Sequence, residues 1–268
     1  MKISCLLFVF VFFGLNGYGQ NKSPYKLRLW VDMPVTVAGA GLSYVGLGIL
    51  KNKPLLDSAT VAGLNPDQIN KFDRGATRQF NHNASLYADI ALYSSFALPG
   101  LLMINDNINN EALKVGALYL ETMAVMGVAY TWGVSATHRK RPYVYNPDVD
   151  FGKKLRKGTT NSLYAGHPAA AAAAAFFAAK VFSDYNPDSR LKPYIWSAAI
   201  IPPAIVAYYR YKDGQHFPTD ILIGIPLGAA IGILVPQLHK VSDKTNLSLI
   251  PTYKGILLSY TFNKKIRN

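Results

Sequence analysis

Arg210, His216 and Asp220 have the types and the spacing for chemistry on phosphorus. Asp220 follows His216 by four residues, so on a helix the two would share one face, one turn apart. The Asp220 carboxylate is therefore predicted to bind one imidazole nitrogen and leave the other free as a nucleophile or base. An arginine fork nearby would bind phosphate oxygens two at a time without losing its charge.

Two further polar clusters precede this one, each at the end of an apolar segment. They contain Arg139, Lys140, Arg141 and Pro142, and then Gly166 and His167. A helical bundle could bring all three clusters to one mouth. Arg141 and Arg210 are natural clamps there for the equatorial oxygens of a phosphoryl group in transfer.

These clusters resemble the three signatures of the type-2 phosphatidic acid phosphatase (PAP2) superfamily, shared with vanadium haloperoxidases. Arg210-x5-His216-x3-Asp220 matches the third signature, and Phe217-Pro218-Thr219-Asp220 resembles its common wording. Arg141-Pro142 matches the end of the first signature, and Gly166-His167 the end of the second. The resemblance extends over roughly residues 84–238.

Two of the departures from the family pattern remove groups that would hold the phosphate. The lysine that usually stands seven residues before the Arg-Pro pair is replaced by Val134, and the serine of Pro-Ser-Gly-His is replaced by Ala165. One cation and one donor are lost, and charge-assisted contacts are typically worth ~1.5–3 kcal/mol each. Activity is expected to be weakened or redirected unless other groups compensate, with Arg139 and Lys140 as the auxiliary candidates.

The resemblance implies a phosphohistidine mechanism. His216 would attack phosphorus, Asp220 would orient it, and His167 would protonate the leaving oxygen. Arg141, Arg210 and the backbone N–H of Gly166 would bind the phosphate. The mechanism needs no cofactor or metal, and the sequence offers no convincing His, Cys and carboxylate cluster of the kind that zinc needs.

Composition favours a membrane protein of the bacterial cell envelope. Half of the 268 residues are hydrophobic, and residues 1–19 read as a signal peptide that contains the only cysteine, Cys5. The formal charge of +13 would suggest nucleic acid in a soluble chain. In a secreted chain rich in spans, anionic lipid headgroups or phosphate esters are the better match, so no nucleic-acid partner is predicted.

The predicted fold is an all-α, membrane-embedded bundle of about six helices of the PAP2/haloperoxidase type. The chain is predicted to divide into three parts after the signal peptide. Residues 20–83 form an N-terminal segment with a polar interfacial loop, residues 84–240 a helical catalytic core, and residues 241–268 a tail with a short β-hairpin. A soluble all-helical periplasmic domain is the alternative. The candidate spans lie near 29–50, 84–104, 113–134, 168–183, 194–209 and 220–238.

Two of these spans contain ionisable residues, Asp89 and Glu121, which are predicted to support the site because such groups usually face the bundle interior. The span near 29–50 contains Asp32 and Pro34 and is predicted not to cross. If every candidate span crossed, the basic loop 135–167 would lie on the cytoplasmic side, as the positive-inside rule favours. Because the segment near 29–50 is predicted not to cross, the active site is instead predicted to face the periplasm.

The predicted function is an envelope phosphatase that hydrolyses a lipid phosphate or pyrophosphate monoester. Its partners would be the membrane and a phosphorylated lipid, and the oligomeric state stays open. A degenerate member that binds anionic lipid or supports an envelope assembly is one alternative, motivated by Val134 and Ala165. A vanadate-dependent haloperoxidase is the other, although that group also relies on the lysine replaced by Val134.

Overall fold

A computed structural model describes residues 23–241, 247–252 and 255–260 of the chain. The described part is mostly helical, as predicted for an all-α bundle, and this class is confirmed. The α-helices are α1 (Leu29–Lys51), α2 (Ser58–Ala62), α3 (Lys71–Arg74), α4 (His82–Ala97), α5 (Asp106–Asn109), α6 (Ala112–Ser135), α7 (Phe151–Lys154), α8 (Gly166–Tyr185), α9 (Lys192–Ala198), α10 (Ile201–Lys212) and α11 (Pro218–Leu238).

Shorter elements complete the described chain. The 3-10 turns are Pro66–Gln68, Gly75–Arg78, Leu98–Ile104 and Pro142–Tyr145. In the tail, β1 (Leu247–Thr252) and β2 (Gly255–Tyr260) are antiparallel, with Leu247 opposite Tyr260.

Helix α8 lies at the centre of the bundle and packs against α4, α6, α10 and α11. Its alanine run from Ala169 to Ala175 is buried except at the half-buried Ala170. Side chains this small let neighbouring backbones approach closely, as in many membrane helix pairs. The alanine-rich segment therefore acts as the packing centre of the helices that hold the site.

A row of glycines on α11 provides the closest of these approaches. A Cβ atom at Gly228 would lie 1.9 Å from the carbonyl oxygen of Ala169 on α8, and one at Gly232 would lie 2.4 Å from that of Ala173. No side chain fits at either distance. Backbone contact along α8 and α11 thus fixes the start of one helix against the start of the other.

Within the described residues, four helices are long and apolar enough to cross a membrane: Leu29–Lys51, His82–Ile104, Ala112–Ser135 and Pro218–Leu238. They identify the chain as an integral membrane protein. The predicted spans near 168–183 and 194–209 are not among them. Helix α8 carries the ion pair of Lys180 and Asp184, and residues 194–209 are divided between α9 and α10.

Helix α1 is one of the four, so its exclusion as a span finds no support in its length or composition. The outward-facing site stays a prediction. The predicted signal peptide, 1–19, lies outside the described residues, and the division at residues 83 and 240 also stays a prediction.

Candidate active site

The three predicted clusters meet at one end of the bundle. Helix α6 ends there at Ser135, α8 begins at Gly166, α10 ends at Lys212, and α11 begins at Pro218. The connecting segments carry Arg141 and His216, while His167 and Arg210 stand in the terminal turns of their helices. The topology thus places side chains that are far apart in sequence around one polar centre.

His216 lies in the short segment that joins α10 to α11 and is only 2% exposed. Its Nδ1 atom is 2.8 Å from the backbone carbonyl oxygen of Ser162. A carbonyl can only accept, so Nδ1 carries the proton and Nε2 keeps its lone pair. The neutral tautomer held in this way has the nucleophilic nitrogen that the predicted role requires.

The turn before His216 depends on a glycine. Gly214 has a φ of 67°, and a Cβ there would lie 2.4 Å from the carbonyl oxygen of Gln79. Only glycine adopts this conformation and fits this space without strain. The turn leads directly into Gln215 and His216 and so sets their position.

Asp220 does not bind His216 directly, which corrects the pairing predicted from the four-residue spacing. His216 precedes α11, and its Nδ1 is 4.0 Å from the nearest Asp220 oxygen, beyond hydrogen-bonding range. The fully buried carboxylate instead accepts from the Ser162 hydroxyl at 2.6 Å and from the Phe217 backbone N–H at 2.9 Å. Asp220 thereby positions both Ser162, which holds the imidazole, and the start of α11.

Arg210 and His167 face each other across the site. Nη2 of the buried Arg210 lies 3.0 Å from Nδ1 of His167, and its Nη1 lies 3.4 Å from the Ser85 hydroxyl. Asp89 approaches Nε2 of His167 at 3.6 Å, which places one of the two predicted supporting carboxylates next to the site. The predicted acid and one predicted phosphate clamp are therefore adjacent.

Gly166 begins α8 immediately before His167. A Cβ atom at this position would lie 2.2 Å from the ring of Tyr130. The free N–H groups at a helix start favour anions, so the predicted phosphate contact of Gly166 has a suitable backbone setting.

Arg141 is held in place by hydrogen bonds from both its backbone and its guanidinium group. Its backbone N–H donates to the Thr159 carbonyl at 2.8 Å, its Nε donates to the Gly158 carbonyl at 2.8 Å, and its Nη1 donates to the Gln215 side chain. Gln215 is the neighbour of His216 in sequence. The contact therefore joins the first signature to the third.

Arg139 is not an auxiliary phosphate ligand in this structure, which corrects that prediction. Its Nη1 donates to the Asp220 carboxylate at 2.5 Å, and its Nη2 donates to Asp73 at 2.7 Å. The guanidinium also stacks 4.5 Å from the centre of the Phe217 ring. Lys140 is half-buried, and among the described residues no hydrogen bond or ion pair joins it to the site.

Asp73 is a supporting residue that the sequence did not reveal. It is fully buried, accepts from the Thr219 backbone N–H at 3.0 Å and from the Thr219 hydroxyl at 2.7 Å, and pairs with Arg139. Burial alone would raise the pKa of Asp73, but these hydrogen bonds and one from Asn70 outweigh burial and lower it. In the sequence, Asp73 is only one member of a charged cluster in a polar loop, and such clusters are more often exposed to solvent.

Burial and the positive charge of the site make both histidines harder to protonate. Burial lowers the pKa of His216 well below its ordinary value, and the charges of Arg141 and Arg210 lower it further. Burial and the same two arginines lower the pKa of His167 to about 3. Both imidazoles are thus neutral near pH 7, and an arriving phosphate anion would oppose the arginines and raise both pKa values.

An apolar cavity of about 190 Å³ opens beside His167. Its wall includes Gly166, His167 and Tyr130 together with Leu92 and Met126. The cavity adjoins the predicted general acid, where a leaving group would sit. The arrangement suits a substrate with a charged phosphate and an apolar remainder.

A second ionisable cluster lies at the opposite end of α11 and takes no part in this site. Nε2 of His239 is 3.4 Å from Asp32 and 3.3 Å from Glu121. The positions of these ligand atoms would allow a metal ion. Glu121 therefore supports a separate ion cluster and not the site, unlike Asp89.

Comparison with known families agrees with the signatures. Residues 115–244 match the family model described as PAP2 superfamily, a range that includes all three signature regions. No curated protein and no solved structure matches the chain.

Proposed function

Because this chain belongs to the PAP2 superfamily, we propose that it is a bacterial envelope phosphatase that hydrolyses a lipid phosphate or pyrophosphate monoester through a phosphohistidine. The observation that carries this proposal is the bond between Nδ1 of His216 and the Ser162 carbonyl. It leaves the Nε2 lone pair of a buried, neutral imidazole available to attack phosphorus.

In the first step, Nε2 of His216 forms a bond to the terminal phosphorus while the bond from that phosphorus to the bridging oxygen breaks. His167 gives its proton to that leaving oxygen, so a lipid phosphate releases a neutral alcohol and a lipid pyrophosphate releases the lipid monophosphate. Arg141 and Arg210 bind the non-bridging oxygens, and the Gly166 backbone N–H adds a donor. The Ser162 carbonyl stabilises the charge that develops on the imidazole.

In the second step, a water molecule attacks phosphorus as the bond to Nε2 breaks. His167 takes the proton of the water and returns to its protonated form, while His216 regains its lone pair. Inorganic phosphate leaves with the charge that the arginines had bound. The pair of histidines thus divides nucleophilic and acid–base work between them.

The apolar cavity beside His167 supports a lipid as the leaving group. A membrane-embedded chain gives such a substrate lateral access, while its phosphate meets the arginines. Envelope lipids with a terminal phosphate, such as phosphatidic acid or a polyprenyl pyrophosphate, have the required two-part chemistry. A free sugar phosphate would leave the cavity unused.

The test is phosphate release by the purified full chain from lipid phosphates in mixed micelles. His216→Ala should abolish release, and acid-labile radioactivity from a labelled phosphate should be trapped on the wild type but not on the variant. His138→Ala is the matched control, because His138 is exposed and outside the site. Release that survives in His216→Ala would refute the phosphohistidine.

The second candidate is a degenerate member that binds anionic lipid without turnover. Val134 and Ala165 favour it, since both are fully buried and offer neither the cation nor the hydroxyl of the family pattern. In that case the wild type would bind lipid phosphate without releasing phosphate, and His216→Ala would bind equally well.

A further inference from the structure

Lys53 is a buried lysine at the end of α6, although it belongs to the segment after α1. It is 8% exposed, and its Nζ donates to the backbone carbonyl of Val134 at 2.7 Å and to that of Thr137. Val134 is the residue that stands where the PAP2 pattern has a lysine. Lys53 thus contacts the backbone of the position where the family pattern has a lysine and this chain has valine.

The surroundings of Lys53 provide no negative partner. Among the described residues, no Asp or Glu lies within ion-pair distance of its ammonium group. Its two acceptors are carbonyls at the C-terminal end of α6, where a helix favours a cation. Two of its three N–H donors are used in this way, and one remains for another acceptor.

A second cation, Arg141, is close enough to Lys53 to act on it electrostatically. Burial lowers the pKa of Lys53, and the positive charge of Arg141 lowers it further. A buried ammonium group under the influence of a guanidinium, with no Asp or Glu among the described residues at ion-pair distance, is costly. An anion bound between the two cations would relieve this cost.

We propose that Lys53 is a phosphate-binding residue that supplies the cation missing at Val134. The inference rests on the proposed function for the identity of the anion, the phosphoryl group of the substrate. Lys53 binds a non-bridging oxygen of that group with its remaining N–H, beside Arg141. The family's lysine is thereby replaced in space by a residue 81 positions earlier in the chain.

The test measures binding of inorganic phosphate by calorimetry to the purified full chain in detergent, which requires no turnover. Loss of one charge-assisted contact predicts that Lys53→Met weakens binding about 10- to 100-fold. Lys51→Met is the matched control, because it removes the same charge from an exposed lysine two residues away. It should leave binding within about twofold.

A rescue experiment separates charge from structure. The double variant Lys53→Met with Val134→Lys returns a lysine to the position of the family pattern and should regain most of the affinity. Lys53→Arg should also retain binding, because it keeps the charge and the helix-end donors. If Lys53 only capped α6, Lys53→Met would lower the unfolding temperature without weakening phosphate binding, and Val134→Lys would rescue nothing.

The two proposals fail in different ways. If the wild type releases no phosphate but its phosphate affinity depends on Lys53, the function is wrong and the inference stands. If lipid phosphate is hydrolysed and Lys53→Met has normal phosphate affinity and a normal KM, the inference is wrong and the function stands.

Discussion

The backbone carbonyl of Ser162 accepts from Nδ1 of His216 at 2.8 Å. The Ser162 hydroxyl in turn donates to the Asp220 carboxylate at 2.6 Å. One residue therefore connects the candidate nucleophile to the carboxylate expected to contact it directly. The carbonyl fixes the tautomer of the imidazole, and Asp220 fixes the segment that provides the carbonyl.

This relay predicts a mixed effect for Asp220→Asn. The amide has one acceptor oxygen in place of two, so some of the donors of Ser162, Phe217 and Arg139 would lose their partner. Stability should fall by about 1–3 kcal/mol for the buried donors left unsatisfied, and kcat should fall while KM changes little. Thermal unfolding and steady-state kinetics of the purified variants measure both.

Ser162→Ala is the companion variant, because it removes only the hydroxyl and keeps the carbonyl that binds His216. It should reproduce a smaller part of both losses. Full stability of Asp220→Asn together with complete loss of phosphorylation at His216 would instead indicate direct action of the carboxylate on the imidazole.

Phosphate binding should be coupled to proton uptake. The pKa of His167 is lowered to about 3, by burial first and then by Arg210 and Arg141. A bound dianion opposes the arginines and raises this pKa, so His167 gains a proton as phosphate binds. Calorimetry of phosphate binding in buffers of different ionisation enthalpy counts the protons.

His167→Asn should bind phosphate with less proton uptake than the wild type. Equal uptake in the two proteins would mean that the proton goes elsewhere, and His167 would lose its support as the general acid.

The contact of α11 with α8 predicts a large effect for Gly228→Ala. The new methyl group would meet the carbonyl oxygen of Ala169 at 1.9 Å, and backbone cannot yield as a side chain can. The helices would have to separate, which should cost at least the ~1–3 kcal/mol of an overpacked core. Unfolding by heat or by denaturing detergent measures the loss.

Gly116→Ala on α6 is the matched control. A Cβ at Gly116 meets nothing within 4 Å, and alanine has the better helix propensity by about 1 kcal/mol. This variant should be as stable as the wild type or more so. A Gly228→Ala variant with wild-type stability would contradict the close packing of these two helices.

The ion cluster of His239 predicts that stability falls at alkaline pH. Burial opposes protonation of His239, but its hydrogen bonds to Glu121 and to the Val235 carbonyl, with the charges of Glu121 and Asp32, raise its pKa to about 9. The folded pKa thus exceeds the ordinary value of 6.5. Its contribution to stability is complete below pH 6.5 and is lost as pH rises through 9.

Unfolding temperatures of the wild type should therefore decline across this range, and His239→Gln should flatten the decline. His138→Gln, at an exposed histidine, should retain it. A wild-type profile that is flat up to about pH 9 would show that His239 is not protonated in the cluster.

The sequence predicts the helical class, which is confirmed, and the meeting of the three polar clusters, because both depend on local patterns. Apolar runs indicate helices, and the signature spacing brings Arg210, His216 and His167 to helix ends that meet. The orientation of Asp220 could not be predicted in this way. A spacing of four implies pairing only within a helix, and α11 begins after His216.

The contacts that support the site could also not be predicted from the sequence. Asp73 and Lys53 lie in a polar segment with no periodicity, and only the tertiary fold brings them to Thr219 and Val134. Arg139 looked like a phosphate ligand because it neighbours Arg141 in sequence. Its guanidinium instead forms ion pairs with Asp73 and Asp220, which come from distant segments of the chain.

The hydrogen bonds from Thr219 to Asp73 have a consequence for how this protein could be divided or recombined. The range that carries all three signatures begins at residue 115, whereas Asp73 comes from well before it. A fragment or chimera built from that range alone would keep every signature residue but lose Asp73, which hydrogen-bonds to Thr219 in the third signature. The end of the bundle that carries the candidate site therefore depends on the preceding loop, and a chain with the motifs but without that loop should have a poorly organised site.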